Sequence, residues 1–139
     1  MPPPASNRSA RSRRCPVVLV VDDHEDTREL IAEFVSISGF KSLTANDGQE
    51  AVELAHRELP DVIVMDVAMP RMTGIEATQA LRGSSRTRAL PILILTGQGN
   101  ETLRSALAAG ANAAYAKPCP LETIVAAVRG LLSVSRSGA

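Results

Sequence analysis

The sequence is poor in aromatic residues. It has no Trp, one Tyr and two Phe among 139 residues. A protein that stacks nucleobases on aromatic side chains needs more than that. Net charge is missing too: fifteen basic and fifteen acidic residues give a formal total of zero. A neutral total argues against a surface built to grip nucleic acid or an anionic membrane. No apolar run approaches the roughly 18–20 residues needed to cross a bilayer. Only Cys15 and Cys119 could pair. In the layout below they fall at opposite ends of a sheet, beyond the ~7 Å Cα limit for a disulfide. Reduced thiols in a cytoplasmic protein are the expectation.

What is present is enough for one domain with a real core. Hydrophobic residues make up 45% of the chain. Residues 1–14, MPPPASNRSARSRR, hold Pro, Ser and Arg with almost nothing to bury. They read as a disordered basic tail. No secretory h-region follows them, because the apolar run is short and ends in Asp22. The domain is expected over 15–133, with a flexible C-terminal tail at 134–139.

Five segments read as strands: Val17–Val21, Phe40–Thr44, Asp61–Met65, Pro91–Leu95 and Asn112–Ala116. The first, third and fourth are nearly continuous apolar runs, as in strands covered on both faces. The second and fifth are mixed, as edge strands are. A helical pattern follows each one. These patterns span Glu25–Ser38, Asp47–Glu58, Ile75–Arg82, Asn100–Ala109 and Leu121–Leu132. The first places Leu30, Ile31, Phe34, Val35 and Ile37 inward. Asn46 is the expected N-cap of the second, and Gly39 and Gly110 stop the first and fourth. Strand–helix alternation means parallel strands joined by right-handed crossovers. The fold class is therefore α/β, a doubly wound (βα)5 flavodoxin-like sandwich with strand order 2-1-3-4-5.

In such a sheet, ligands bind at the carboxyl ends of the strands. Strand 1 ends in Asp22 and Asp23, strand 3 in Asp66, strand 4 in Thr96, and strand 5 in Lys117 and Pro118. Alone, each has an ordinary explanation: an N-cap, a turn residue, a solvated charge. Together, three carboxylates on one rim repel one another unless a cation neutralises them. Few oxygen ligands on one side suit Mg²⁺, which keeps several waters. Mg²⁺ with a lysine neutralises the oxygens of a transferring phosphoryl group. A carboxylate can act as the nucleophile and form an aspartyl phosphate. Asp66, alone at the end of the central strand, is the candidate.

The ordered set VVDD (20–23), TANDGQE (44–50), PDVIVMD (60–66), MPRMTG (69–74), LT (95–96), AGA (109–111) and Lys117-Pro118 resembles the receiver domain of two-component response regulators. It is similar to the single-domain, chemotaxis-type members. The resemblance implies that Asp66 is the phosphoacceptor, served by a histidine kinase or a histidine phosphotransfer protein. It implies that Asp23 ligates Mg²⁺ directly, that Asp22 holds it through water, and that Asp66 and the backbone carbonyl of Ala68 complete the protein ligands. Thr96 and Lys117 would contact the phosphoryl group, and the Lys117–Pro118 peptide would be cis. Such a protein is not an enzyme in the ordinary sense. It catalyses only its own phosphorylation and dephosphorylation. With no output domain read after Leu132, its output is expected to be binding to a downstream protein. The surface would be that of the fourth helix, fifth strand and fifth helix, with no direct contact to nucleic acid or membrane.

Two features depart from the family pattern. The aromatic that often stands three residues before the lysine is Ala114 here. Tyr115, one place later, is expected on the opposite face of strand 5. In the loop before the third helix, an acid commonly precedes the glycine. Thr73 stands there and can still start the helix. Ala68 and Gln98 occupy the two positions that flank the phosphoryl group in this family, and Gly97 leaves it room. Ala68 cannot orient water, so slow self-dephosphorylation is expected. His24 reads as a solvated side chain at the start of the first helix. His56 suits the C-terminal end of the second. Arg86 and Arg88 read as solvated loop residues. Two other classes use similar residues. A haloacid-dehalogenase-type phosphatase would want a second acid at position 68. A receiver-like docking module would never become phosphorylated.

Overall fold

The computed structural model describes residues 15–137. The tail expected over residues 1–14 lies outside them, as do residues 138–139. Five strands, β1 (Val17–Val21), β2 (Lys41–Ala45), β3 (Val62–Asp66), β4 (Ile92–Thr96) and β5 (Ala113–Ala116), alternate with five helices. The helices are α1 (Glu25–Ile37), α2 (Gly48–Glu58), α3 (Gly74–Arg82), α4 (Asn100–Ala109) and α5 (Leu121–Ser137). The strands form one parallel sheet in the order β2-β1-β3-β4-β5. The expected fold class and edge strands are both found.

Every residue of β1, β3 and β4 is buried. Alternation sends them to two separate cores. Leu19, Ile63, Met65, Ile92 and Ile94 pack under Ala51, Ala55, Ala77, Leu81 and Ala106 of α2, α3 and α4. Val18, Val20, Val64, Leu93 and Leu95 pack under Ile31, Val35, Ile124, Val125 and Val128 of α1 and α5. Each fully buried aliphatic side chain is worth about 1.5–3 kcal/mol. The three central strands are thus anchored in the packed core, and the carboxyl rim is carried on their ends.

Several expectations need correction. Four strands begin one residue later than the apolar pattern suggests, so Asp66 and Thr96 are the last residues of β3 and β4. The cap of α2 is Asp47, not Asn46: the Asp47 side chain accepts the Glu50 N–H at 2.9 Å. Leu30 and Ile37 face outward, 55% and 75% exposed, because Ile31, Ala32 and Val35 already fill the seam between α1 and the sheet. Helical backbone in α5 runs on to Ser137, beyond the Leu132 end expected for the fifth helix. Arg86 is exposed, as expected, and it also donates to the carbonyl of His56 at 2.7 Å. Both cysteines are free.

The rest of the local chemistry is as expected. Thr73 caps α3 with a reciprocal bond to Glu76. Gly110 ends α4 at φ +120°. Tyr115 pairs in register with Leu95 and Ala114 with Ile94, so the two lie on opposite faces of the sheet.

Candidate functional site at the carboxyl rim

The rim gathers the residues read from the sequence. Asp22 follows β1 directly, and its N–H continues the ladder to the Ala45 carbonyl at 3.2 Å. Asp66 closes β3, with one carboxylate oxygen accepting the N–H of Val67 at 2.8 Å. Thr96 closes β4, and its carbonyl accepts the Lys117 N–H at 2.8 Å. That last bond carries the β4–β5 ladder one residue further and fixes where Lys117 leaves the sheet. The Lys117–Pro118 peptide is cis.

Lys117 Nζ donates to Asp22 Oδ2 at 3.2 Å and lies 3.4 Å from Asp66 Oδ2. One ammonium thus bridges two carboxylates contributed by different strands. Asp22, Asp66 and Thr96 are all buried, while Asp23 reaches toward solvent. Burial pushes the Asp66 carboxyl above its ordinary value, and the Asp22 charge adds to the rise. Lys117 and the Val67 N–H offset only part of it. For Lys117, burial alone favours the neutral amine, yet Asp66 and Asp22 outweigh it and hold the ammonium up.

The charge balance shows what is lacking. Asp22, Asp23 and Asp66 can carry three negative charges against one ammonium. One oxygen of each, with a ring nitrogen of His24, lie within 4.8 Å of one another. Hard oxygen donors of this kind, short of two positive charges, fit a divalent cation. His24 was expected to be only a solvated side chain. It is exposed, but its Nδ1 lies 3.3 Å from both Asp22 Oδ1 and Asp23 Oδ1.

The flanks are open. Ala68 and Gln98, two residues beyond Asp66 and Thr96 in the chain, are exposed. A Cβ at Gly97 would meet nothing within 4 Å, so there is space beside Thr96. The Thr96 hydroxyl accepts the Gln98 N–H at 3.1 Å. An apolar groove of about 370 Å³ runs past Lys117, between Leu30 of α1 and the Pro118–Leu121 segment.

The response regulator receiver domain family matches this chain over residues 18–129. The chain belongs to that family. Response regulator MprA of Mycobacterium leprae is 41% identical over 116 residues, covering 83% of this chain and 50% of the relative. The chain thus spans about half the length of the curated relatives it matches. Chemotaxis response regulator CheY4 of Vibrio cholerae is 35% identical with a TM-score of 0.79, over 85% of this chain and 99% of the other. The receiver domain of sensor histidine kinase PA1611 from Pseudomonas aeruginosa is 28% identical with a TM-score of 0.80. That match covers 86% of this chain and 98% of the other, whose structure has a magnesium ion coordinated in the active site cleft. No described helix of this receiver is long and apolar enough to cross a membrane.

Sequence reasoning missed three contributors to the rim. Gly74 packs against the backbone of Asp66. Arg71, at φ +65°, donates from Nε to Asp47 Oδ2 at 3.1 Å and also pairs with it through Nη2. Arg28 Nη1 donates to the Asp22 carbonyl at 3.1 Å. The first two sit inside a motif already noted, MPRMTG, and Asp47, the partner of Arg71, sits inside TANDGQE. Their role is legible only when those two loops are known to touch.

Proposed function

We propose that this receiver accepts a phosphoryl group onto Asp66 from a phosphohistidine of a histidine kinase or histidine phosphotransfer protein, in a Mg²⁺-dependent reaction. The observation that carries the reading is the Lys117 ammonium seated between Asp22 and Asp66. Asp22, Asp23, Asp66 and the carbonyl of Ala68 would hold the ion. When bound, Mg²⁺ supplies neutralising charge to the phosphoryl oxygens and the acidic rim.

An Asp66 carboxylate oxygen attacks phosphorus. The O–P bond forms, the P–N bond to the donor imidazole breaks, and the imidazole nitrogen keeps the bonding pair and takes up a proton. Lys117 lies close enough to pair with a phosphoryl oxygen after the transfer. The product carries about two negative charges and three strong acceptors where one carboxylate stood. One of those acceptors draws the Thr96 hydroxyl, whose oxygen now holds the Gln98 N–H. The segment from Gly97 to Gly99 and the start of α4 then shift with Thr96.

Position 114 carries no aromatic ring to follow Thr96, and Tyr115 points to the other face. The signal therefore leaves through backbone movement at the α4–β5–α5 surface, where Leu107 and Tyr115 are exposed for a downstream protein. The protein is a cytoplasmic phosphoacceptor, catalysing only its own phosphorylation and dephosphorylation.

Incubation with Mg²⁺ and acetyl phosphate or phosphoramidate tests this. A mass gain of one phosphoryl group that Asp66→Asn abolishes is expected. Sustained turnover of a phosphate ester would mean a phosphatase instead, and no mass change with any donor would mean a docking module.

A further inference from the structure

Arg71 stands in the loop between β3 and α3 at φ +65°. Glycine adopts that left-handed conformation freely, whereas a residue with a Cβ is strained in it. Such a residue persists only where its surroundings hold it. Here the holder is Asp47, in the loop after β2. Its carboxylate is buried, and its two oxygens serve two different elements. Oδ1 accepts the Glu50 N–H at 2.9 Å and caps α2. Oδ2 accepts from Arg71 Nε at 3.1 Å and also pairs with Nη2. Next to it, the Gly48 N–H donates to the Met72 carbonyl at 3.2 Å. A Cβ at Gly48 would overlap that carbonyl oxygen and lie 3.0 Å from both the carbonyl carbon and the Met72 Cβ. Two consecutive residues of one loop, Arg71 and Met72, are thus clasped by two consecutive residues of another, Asp47 and Gly48.

The clasp bears on a short span of chain. At its start, the Val67 carbonyl accepts the Gly74 N–H at 2.9 Å. Arg71 is the next anchor along the loop. Ala68, whose carbonyl is the expected backbone ligand, lies between these two. A carbonyl has no side-chain torsion to adjust, so only the course of the backbone aims it. A glycine at position 71 would suit the backbone better than arginine does. What arginine adds there is the guanidinium, and the guanidinium is spent on Asp47.

We propose that Arg71 is a positioning residue for the divalent ion: through Asp47 it fixes the course of the loop after β3, and with it the aim of the Ala68 carbonyl. The inference rests on the reading of the rim as a divalent-ion and phosphoacceptor site. It adds to that reading a link between the loop after β2, which carries none of the rim residues, and the ion. Arg71 acts through the backbone, so its removal weakens the ion's hold without altering any carboxylate of the rim.

Arg71→Gly separates this role from plain stabilisation, because it removes the guanidinium and relieves the backbone at once. Its urea midpoint should stay close to the native one. Binding of Mn²⁺, which like Mg²⁺ takes carboxylate and carbonyl oxygen, is followed by electron paramagnetic resonance on the full chain. The affinity should fall about tenfold, as on loss of a group that supports a metal ligand. Asp47→Asn should give a fall of the same size. The double variant should fall no further than either single one, because both break the same link. Arg71→Lys keeps a cation for Asp47 and should recover part of the loss. Affinities within about twofold of native in both single variants overturn the proposal. Losses that multiply in the double variant also overturn it, since the two residues would then act separately. If the native protein binds no Mn²⁺, or takes up no phosphoryl group from phosphoramidate with Mg²⁺, the reading of the rim fails first and the proposal falls with it.

Discussion

Gly74, the first residue of α3, lies directly on the backbone of Asp66. A Cβ at Gly74 would overlap the Asp66 carbonyl oxygen, with the carbonyl carbon at 3.0 Å and the Val67 Cα at 3.1 Å. The Gly74 N–H also donates to the Val67 carbonyl at 2.9 Å. The glycine lets α3 begin against the end of β3 and so sets the height of the phosphoacceptor on the rim. Gly74→Ala should displace that strand end and cost about 1–3 kcal/mol, as overpacking does. Urea unfolding measures the cost. Phosphorylation of the folded variant by acetyl phosphate should fall more than its stability explains.

Asp47 and Arg71 join the loop after β2 to the loop after β3. Asp47 caps α2, and its carboxyl is held below its ordinary value, first by the Glu50 N–H and then by Arg71. A lowered folded value stabilises the native state above the unfolded value of about 3.9. That contribution is lost as pH falls through the lower, folded value. Asp47→Ala should cost about 1–2 kcal/mol at neutral pH, most of it the cap. Asp47→Asn keeps a cap and should cost less. The gap between native and Ala variant should narrow below about pH 4. Urea midpoints at neutral pH and pH 3 decide the matter, and a gap of constant size would refute the linkage.

Much of this was written in the chain. β1, β3 and β4 are legible because a strand buried on both faces has to be apolar throughout. The rim is legible because parallel topology sends Asp22, Asp66, Thr96 and Lys117 to one end. Strand starts are less legible, since apolar character does not mark where a ladder begins. Pro91 has no N–H to give, and Asn112 spends its side chain on the Ile92 N–H at 2.8 Å. Asn46 and Asp47 are equally good caps by type, and Arg71, distant in sequence, is the partner that favours Asp47. Leu30 and Ile37 look like core residues until the sheet shows how narrow the buried stripe of α1 is. Gly74 is an ordinary helix-start glycine in the sequence, because its reason lies in the strand end beneath it.

The Lys117 ammonium restrains a carboxyl that burial has already pushed up. Lys117→Met keeps much of the side-chain volume and removes the charge. The Asp66 carboxyl should then titrate higher still in the metal-free protein, because only the Val67 N–H is left to oppose burial and the Asp22 charge. The carboxyl ¹³C shift of Asp66 against pH reads this directly. Phosphorylation by acetyl phosphate should slow about 10²-fold or more, as on loss of a charge-stabilising donor. An unmoved titration would mean that the ammonium of Lys117 spends little time between the two aspartates in solution.

Hydrolysis of a phosphorylated Asp66 needs a water in line with the O–P bond, on the open side of the rim. Ala68, two residues beyond Asp66, is exposed, and a methyl group cannot hold that water. Gln98, two residues beyond Thr96, is also exposed; its backbone N–H donates to the Thr96 hydroxyl, and its side-chain amide is the other group able to hold a water. Ala68→Asn adds an amide at that position while keeping its backbone carbonyl, the carboxylates and Lys117. Loss of the phosphoryl group should quicken about tenfold, which one hydrogen bond of ~1.4 kcal/mol accounts for. The measurement is the decay of phosphoprotein after the donor is removed, at fixed Mg²⁺. If the native phosphoprotein does not outlast the Asn variant, water is positioned by some other group, and Gln98→Ala then tells whether it is the glutamine.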